Sequence, residues 1–174
     1  MHVRNMSNGK AGDLSVRQLM KKSVATVHAD EPLQRAARLM CEHDCGCVVV
    51  VDRDHSVVGI VTDRDVAITA YEDELPIEAI PCASAMTHHP VAISPDDTLE
   101  DAMRLMRTSQ VRRLPVVDAE DHLIGLLTLG DIVRVVAEIR RNGQDPSASD
   151  ALVETFAAIG ERRPINLTAL VCST

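Results

Sequence analysis

Gly59-Ile60-Val61-Thr62-Asp63-Arg64-Asp65 is an apolar run closing on a threonine and two carboxylates, the pattern of a strand turning into a helix. Gly125-Leu126-Leu127-Thr128-Leu129-Gly130-Asp131 does the same 66 positions later. Each copy carries Gly, two aliphatics, Thr, two free positions and Asp, and a helical apolar pattern follows each. A helix start leaves backbone N–H groups unpaired and carries the positive end of the helix dipole, so it favours phosphate. A threonine hydroxyl can add a donor there, and an aspartate in the first turn can accept hydrogen bonds from paired ribose hydroxyls. A single copy reads as an N-cap or first-turn carboxylate behind a closely packed strand-end glycine. Two copies in one register favour nucleotide binding.

Outward from these junctions the whole chain repeats at the same offset, without a gap. Met20 aligns with Met86, Asp30 with Asp96, Leu33 with Leu99, Ala36 with Ala102, and Arg38-Leu39-Met40 with Arg104-Leu105-Met106. Val50-Val51-Asp52 aligns with Val116-Val117-Asp118.

Each copy has one plan. A short strand (Ala25–Val27; Val91–Ile93) precedes apolar residues at helical spacing, Leu33, Ala36, Ala37 and Met40 against Leu99, Ala102, Met103 and Met106. Pro32 suits a first helical turn, and Thr98 with Asp101 makes a weak capping box. Two β-rich runs then flank a polar turn, Cys47–Val51 with Val57–Thr62 and Leu114–Val117 with Leu123–Thr128, which reads as a hairpin. A closing helix covers Asp65 to about Tyr71 in the first copy. In the second it runs through Ile132, Val135, Val136 and Ile139 and stops at Asn142-Gly143. The fold class is therefore α/β (α+β), β-α-β-β-α twice over.

Composition bounds the function. The chain has 174 residues and a formal net charge of −8, which argues against a general nucleic-acid duplex binder, since such a protein needs a basic face. No run approaches the roughly 18–20 apolar residues of a membrane span, and Met1 to Asp13 lacks an apolar signal core, so a cytoplasmic location is expected. Tyr71 and Phe156 are the only aromatic residues, so the core must be aliphatic.

Two gapless copies ending in Gly-h-h-Thr-x-x-Asp (h aliphatic), with the Met86-Thr87 start and Arg112-Arg113-Leu114-Pro115-Val116-Val117-Asp118, resemble a tandem pair of CBS domains, a Bateman module. The resemblance covers about Leu14 to Arg141. It implies two repeats about a pseudo-twofold axis, with boundaries expected at 14–80 and 81–142, a flexible arm over 1–13 and a tail over 143–174. It further implies clefts for AMP, ADP, ATP or a related adenosyl ligand such as NAD or S-adenosylmethionine. Carried over by position, Thr62 and Thr128 contact phosphate or ribose, and Asp65 and Asp131 hold ribose hydroxyls. Thr26 or Ala92, with Gly46-Cys47 or Arg112-Arg113, wall the base and phosphate. Function in this family is sensing and modulation of a partner protein, here unidentified, with no catalytic residue. Such modules commonly form homodimers, which also helps a small aliphatic core bury more surface.

The copies differ where a ligand would sit. Arg112-Arg113 can clamp phosphate bidentately and its counterpart Gly46-Cys47 cannot; Arg64 faces Gly130. Unequal sites are expected. Cys41-Glu42-His43-Asp44-Cys45-Gly46-Cys47, with Cys82, Cys172 and His88-His89, is the other constellation. Thiolates and imidazoles could hold zinc or respond to redox, which gives a runner-up reading as a thiol or zinc sensor with empty nucleotide clefts. With no Cys-x2-Cys pair, and with Cys45 aligned to apolar Val111, these cysteines read better as small hydrophobes, and no metal ligand is assigned. After Gly143, Leu152, Val153, Phe156 and Ile159 form a short apolar stripe, and Ile165–Cys172 is either a strand or an irregular end.

Overall fold

The computed structural model describes residues 14–142 and 147–161. In chain order the elements are α1 (Val16–Leu19), β1 (Thr26–His28), α2 (Leu33–Glu42), β2 (Cys47–Val51), β3 (Val57–Thr62) and α3 (Asp63–Glu72). They continue as α4 (Cys82–Ala85), β4 (Thr87–His88), α5 (Leu99–Ser109), β5 (Arg113–Val117), β6 (Leu123–Thr128), α6 (Leu129–Arg141) and α7 (Ser147–Gly160). The arm over 1–13 and the segment Ile165–Cys172 lie outside the described residues.

Two separate sheets form, one ordered β1-β2-β3-β4 and one of β5-β6. The hairpins have the same register, Cys47 to Val51 against Thr62 to Val57 and Arg113 to Val117 against Thr128 to Leu123, each with one irregularity near its turn. β1 runs parallel to β2. The expected strand Val91–Ile93 is reduced to one parallel bridge, Ile93 with Val116. The cause is Pro115. In the first copy Val49 donates its N–H to Ala25 O at 3.0 Å, but a proline at the matching position has no N–H to give to Val91. The first strand is also Thr26–His28, one residue later than expected, and the helix after each motif starts directly behind its threonine.

Contacts between the copies come in reciprocal pairs. Val57 N–H donates to Asp121 O at 3.4 Å and Leu123 N–H to His55 O at 3.1 Å, joining the two hairpin turns. The segment before each repeat crosses to the other: Thr87 pairs with Ile60 in the first sheet, and Lys21 bridges Leu126 in the second. This exchange carries Met86 over Gly59 and Met20 over Gly125. A side chain on either glycine would overlap the methionine sulfur, so these positions need glycine for close approach.

β2 is buried on both faces because its alternating residues serve two cores. Val48 and Val50 join Leu33, Ala36, Leu39 and Met40 of α2, while Cys47, Val49 and Val51 meet Ile60, Leu123 and Leu126 between the copies. A third core gathers Leu99, Ala102, Met103 and Met106 of α5 with Leu114, Leu127, Ile132 and Val136. α7 rests on α5 and α6 through Ala148, Leu152 and Ile159.

Candidate functional site

Both motifs form reciprocal caps at a helix start. Thr62 Oγ1 accepts from Asp65 N–H at 3.3 Å, while Asp65 Oδ2 accepts from Thr62 N–H at 2.8 Å and from its hydroxyl at 2.7 Å. At α6, Asp131 Oδ2 accepts from Thr128 N–H at 3.0 Å and from the Thr128 hydroxyl, and Thr128 Oγ1 accepts from Asp131 N–H at 3.2 Å. One oxygen of each carboxylate is thus engaged by its own helix. Asp131 is buried and its Oδ1 also accepts from Arg134. Two free carboxylate oxygens are therefore not on offer to a ribose at either motif.

The surroundings of the two helix starts differ. Asp63 Oδ1 accepts from the Arg64 N–H at 2.9 Å, so the first turn of α3 holds a carboxylate of its own, which repels an incoming phosphate. The second copy has Leu129-Gly130 there. Leu129 N–H donates to Arg112 O at 2.9 Å, which ties the Arg112-Arg113 segment to the start of α6.

Beside that helix start lies a cleft of about 700 Å³. Its polar wall includes Lys21, Arg112, Arg113, Thr128, Gly130 and Arg134. Gly46 and Cys47 close it from the first repeat, and among the described residues Asp44 is its only acidic side chain. Arg113 reaches across the junction between repeats: a Cβ on Gly46 would stand 2.9 Å from Arg113 Nη2 and 3.5 Å from Asp63 Oδ2. Burial pushes the Cys47 thiol up to about 11, against the opposing pull of the Arg113 cation, so it meets the cleft as a neutral thiol. A groove of about 1440 Å³ adjoins along α1 and α6; Asp131 faces it, and Lys21 and Arg134 border both.

Of the residues singled out in sequence, Gly46, Cys47, Arg112, Arg113 and Thr128 line this cleft together. Val24 and Ala25, just ahead of β1, line it in place of Thr26. Thr62, Arg64 and Asp65 sit at the start of α3 and do not line it, although Asp63 N–H donates to Gly46 O at 3.4 Å behind the wall. Ala92 lines a depression of about 610 Å³ with Asp96, Asp97, Asp118 and Asp121; its cation, Arg17, pairs with Asp96 at 3.2 Å. Sequence reading missed Lys21, Arg134 and Phe156. Arg134, three residues beyond Asp131 on one helix face, was legible from spacing; Lys21 and Phe156 arrive only through folding.

The cysteines are dispersed. Cys41 is exposed, Cys47 lies between the repeats, and Cys82 is packed in the first core, where burial pushes its thiol up to about 11. Cys45 donates to Cys47 O at 3.3 Å. Among the described residues the group with metal-ligand spacing is Asp118, Glu120 and His122 in the β5–β6 turn, where Asp118 Oδ1 already accepts from both other backbones. Cys172 lies outside the described residues.

Comparison with known proteins places this geometry. A family model described as CBS domain matches residues 16–71 and 78–138. The CBS domain-containing protein YhcV of Bacillus subtilis is 37% identical over 118 residues, 68% of this chain and 82% of its own length. The crystal structure of CBSX2 in complex with AMP, a protein of Arabidopsis thaliana, superposes with a TM-score of 0.64 at 30% identity, covering 74% of this chain and 99% of that one. Hypoxic Response Protein I, whose crystal structure has two coordinated zinc ions, superposes with a TM-score of 0.63 at 29% identity, covering 69% and 97%.

Proposed function

The chain belongs to the CBS-domain family, and from that premise we propose that it is a regulatory module that binds an adenine nucleotide beside the start of α6. AMP, ADP and ATP are the first candidates, with NAD and S-adenosylmethionine as related adenosyl ligands. The observation that carries the reading is the cationic cleft in a chain of net charge −8. Among the described residues, four cations, the α6 start and Thr128 converge where one acidic side chain stands. Arg112 and Arg113 grip phosphate, Thr128 adds a hydroxyl donor, and Val24, Ala25 and Gly46 leave room for a base. Asp131 faces the adjoining groove, and a ribose extending into it would meet Oδ1, shared with Arg134, since Oδ2 is held by the cap. The α3 start, with Asp63 at its mouth, is the weaker site. The module is read as a sensor and not a catalyst, and the ligand acts by changing how it meets a partner protein.

Calorimetric titration with AMP, ADP and ATP tests this. Replacing Arg112 or Arg113 by Ala should weaken binding about tenfold, the size of one lost charge-assisted bond, and more for ATP than for AMP. Wild-type protein that takes up no adenosyl ligand at millimolar concentration would sink the assignment.

The module is further read as a homodimer joined through α3. No residue of α3 is buried, and Ile68, Tyr71 and, just beyond it, Leu75 are 40%, 85% and 53% exposed. An apolar face on an otherwise solvated helix marks an interface. Light scattering at micromolar concentration should give twice the chain mass, and Tyr71→Glu should halve it. A wild-type monomer at such concentration would overturn this part.

A further inference from the structure

We infer that Phe156, on a helix outside the two repeats, is the aromatic wall of the cleft and stacks on the nucleobase. The inference rests on the nucleotide reading above. The chain holds one phenylalanine, one tyrosine and no tryptophan, and its cores are aliphatic. That single phenylalanine is not used in a core. It is 53% exposed, and it lines the same cleft as Arg112, Arg113 and Thr128.

Among the described residues the other apolar lining is aliphatic or thiol, Val24, Ala25, Leu126, Leu129 and Val133 with Cys45 and Cys47; His43 adds an exposed imidazole, and Phe156 is the larger, uncharged ring for a planar base to lie against. A base stacks on an aromatic face whatever its edge pattern, and the contact is strengthened where water is excluded.

The ring is held in place by the seating of α7. Thr155 is fully buried, with its hydroxyl donating to Ala151 O at 2.7 Å. Arg107 pairs with Glu154 at 2.9 Å. Gln110, the left-handed C-cap of α5, donates its side-chain N–H to Ala158 O at 3.1 Å. Two residues later the chain reaches Arg112. One short segment therefore joins the phosphate-gripping arginines to the helix that carries the ring, and base and phosphate are gripped from connected elements.

Calorimetry with AMP and with ribose 5-phosphate, which has no base, tests the role of the ring on full-length protein. Phe156→Ala should weaken AMP about five- to thirtyfold and leave ribose 5-phosphate unchanged. Phe156 is half exposed, so the variant should keep its fold, checked by circular dichroism. Phe156→Trp gives a lone tryptophan, excited selectively over Tyr71, whose emission AMP should quench and ribose 5-phosphate should not. Unchanged AMP affinity in Phe156→Ala, or equal weakening of both ligands, would overturn the stacking role while leaving the nucleotide site standing. A wild-type chain that binds neither compound would overturn the nucleotide reading and the stacking role together.

Discussion

Replacing Asp131 by alanine is expected to cost about 2–4 kcal/mol of folding stability, and Asp65→Ala about half of that. Both changes remove the N3 side of a reciprocal cap, worth about 0.5–2 kcal/mol. Asp131 has more to lose. It is buried, it accepts from Thr128 N–H and hydroxyl on one oxygen, and its other oxygen takes Arg134. A hydrogen bond to a charged group contributes about 1.5–3 kcal/mol, and the loss leaves Thr128 N–H without its partner. Asp65 is only half-buried. Thermal unfolding should place Asp131→Ala roughly 5–12 °C below wild type. Asp131→Asn keeps an acceptor for the Thr128 N–H and should fall between. An Asp131→Ala protein as stable as wild type would remove the capping account, and any change in nucleotide affinity would then be assignable to ribose contact alone.

Gly125→Ala is expected to cost about 1–3 kcal/mol, the range for overpacking a filled site. The added methyl overlaps Met20 Sδ and would stand 3.0 Å from Met20 Cγ and 3.1 Å from Lys21 O. Met20 is buried, and Lys21 is fixed by two bridging hydrogen bonds with Leu126, both 2.9 Å, so neither side yields freely. Gly59→Ala should be milder. Its nearest neighbours are all atoms of the Met86 side chain, which is only partly buried. Adding Met20→Ala to Gly125→Ala should cost less than the two changes separately, because the methyl fills part of the space the methionine leaves. Urea denaturation of the two single variants and the double variant measures that coupling. Strict additivity would mean that Met20 does not rest on Gly125 in solution, and the exchange of segments between repeats would have to be redrawn.

The sequence alone carried the fold a long way. The offset from Gly59 to Gly125 marks the repeat, and the β-branched run at Cys47–Val51 and helical spacing at Leu99–Met106 are local signals that tertiary packing only reinforces. The family resemblance rested on the same two junctions. Pro115 was also on view, yet its effect was not, because a missing N–H matters only once Val91 is known to be its neighbour. Folding also decided the division of roles at the motifs. Thr and Asp at that spacing serve a cap or a ligand equally well, and burial of Asp131 beside Arg134 settled which groups its oxygens meet first. The cleft itself depends on distance in space, not in sequence. Lys21, Gly46, Arg113, Thr128 and Phe156 come from five separate stretches, and no periodicity links them. Packing of the two repeats, and of α7 on α5, sets them around one cavity, because burying aliphatic surface fixes the elements whose edges those residues occupy.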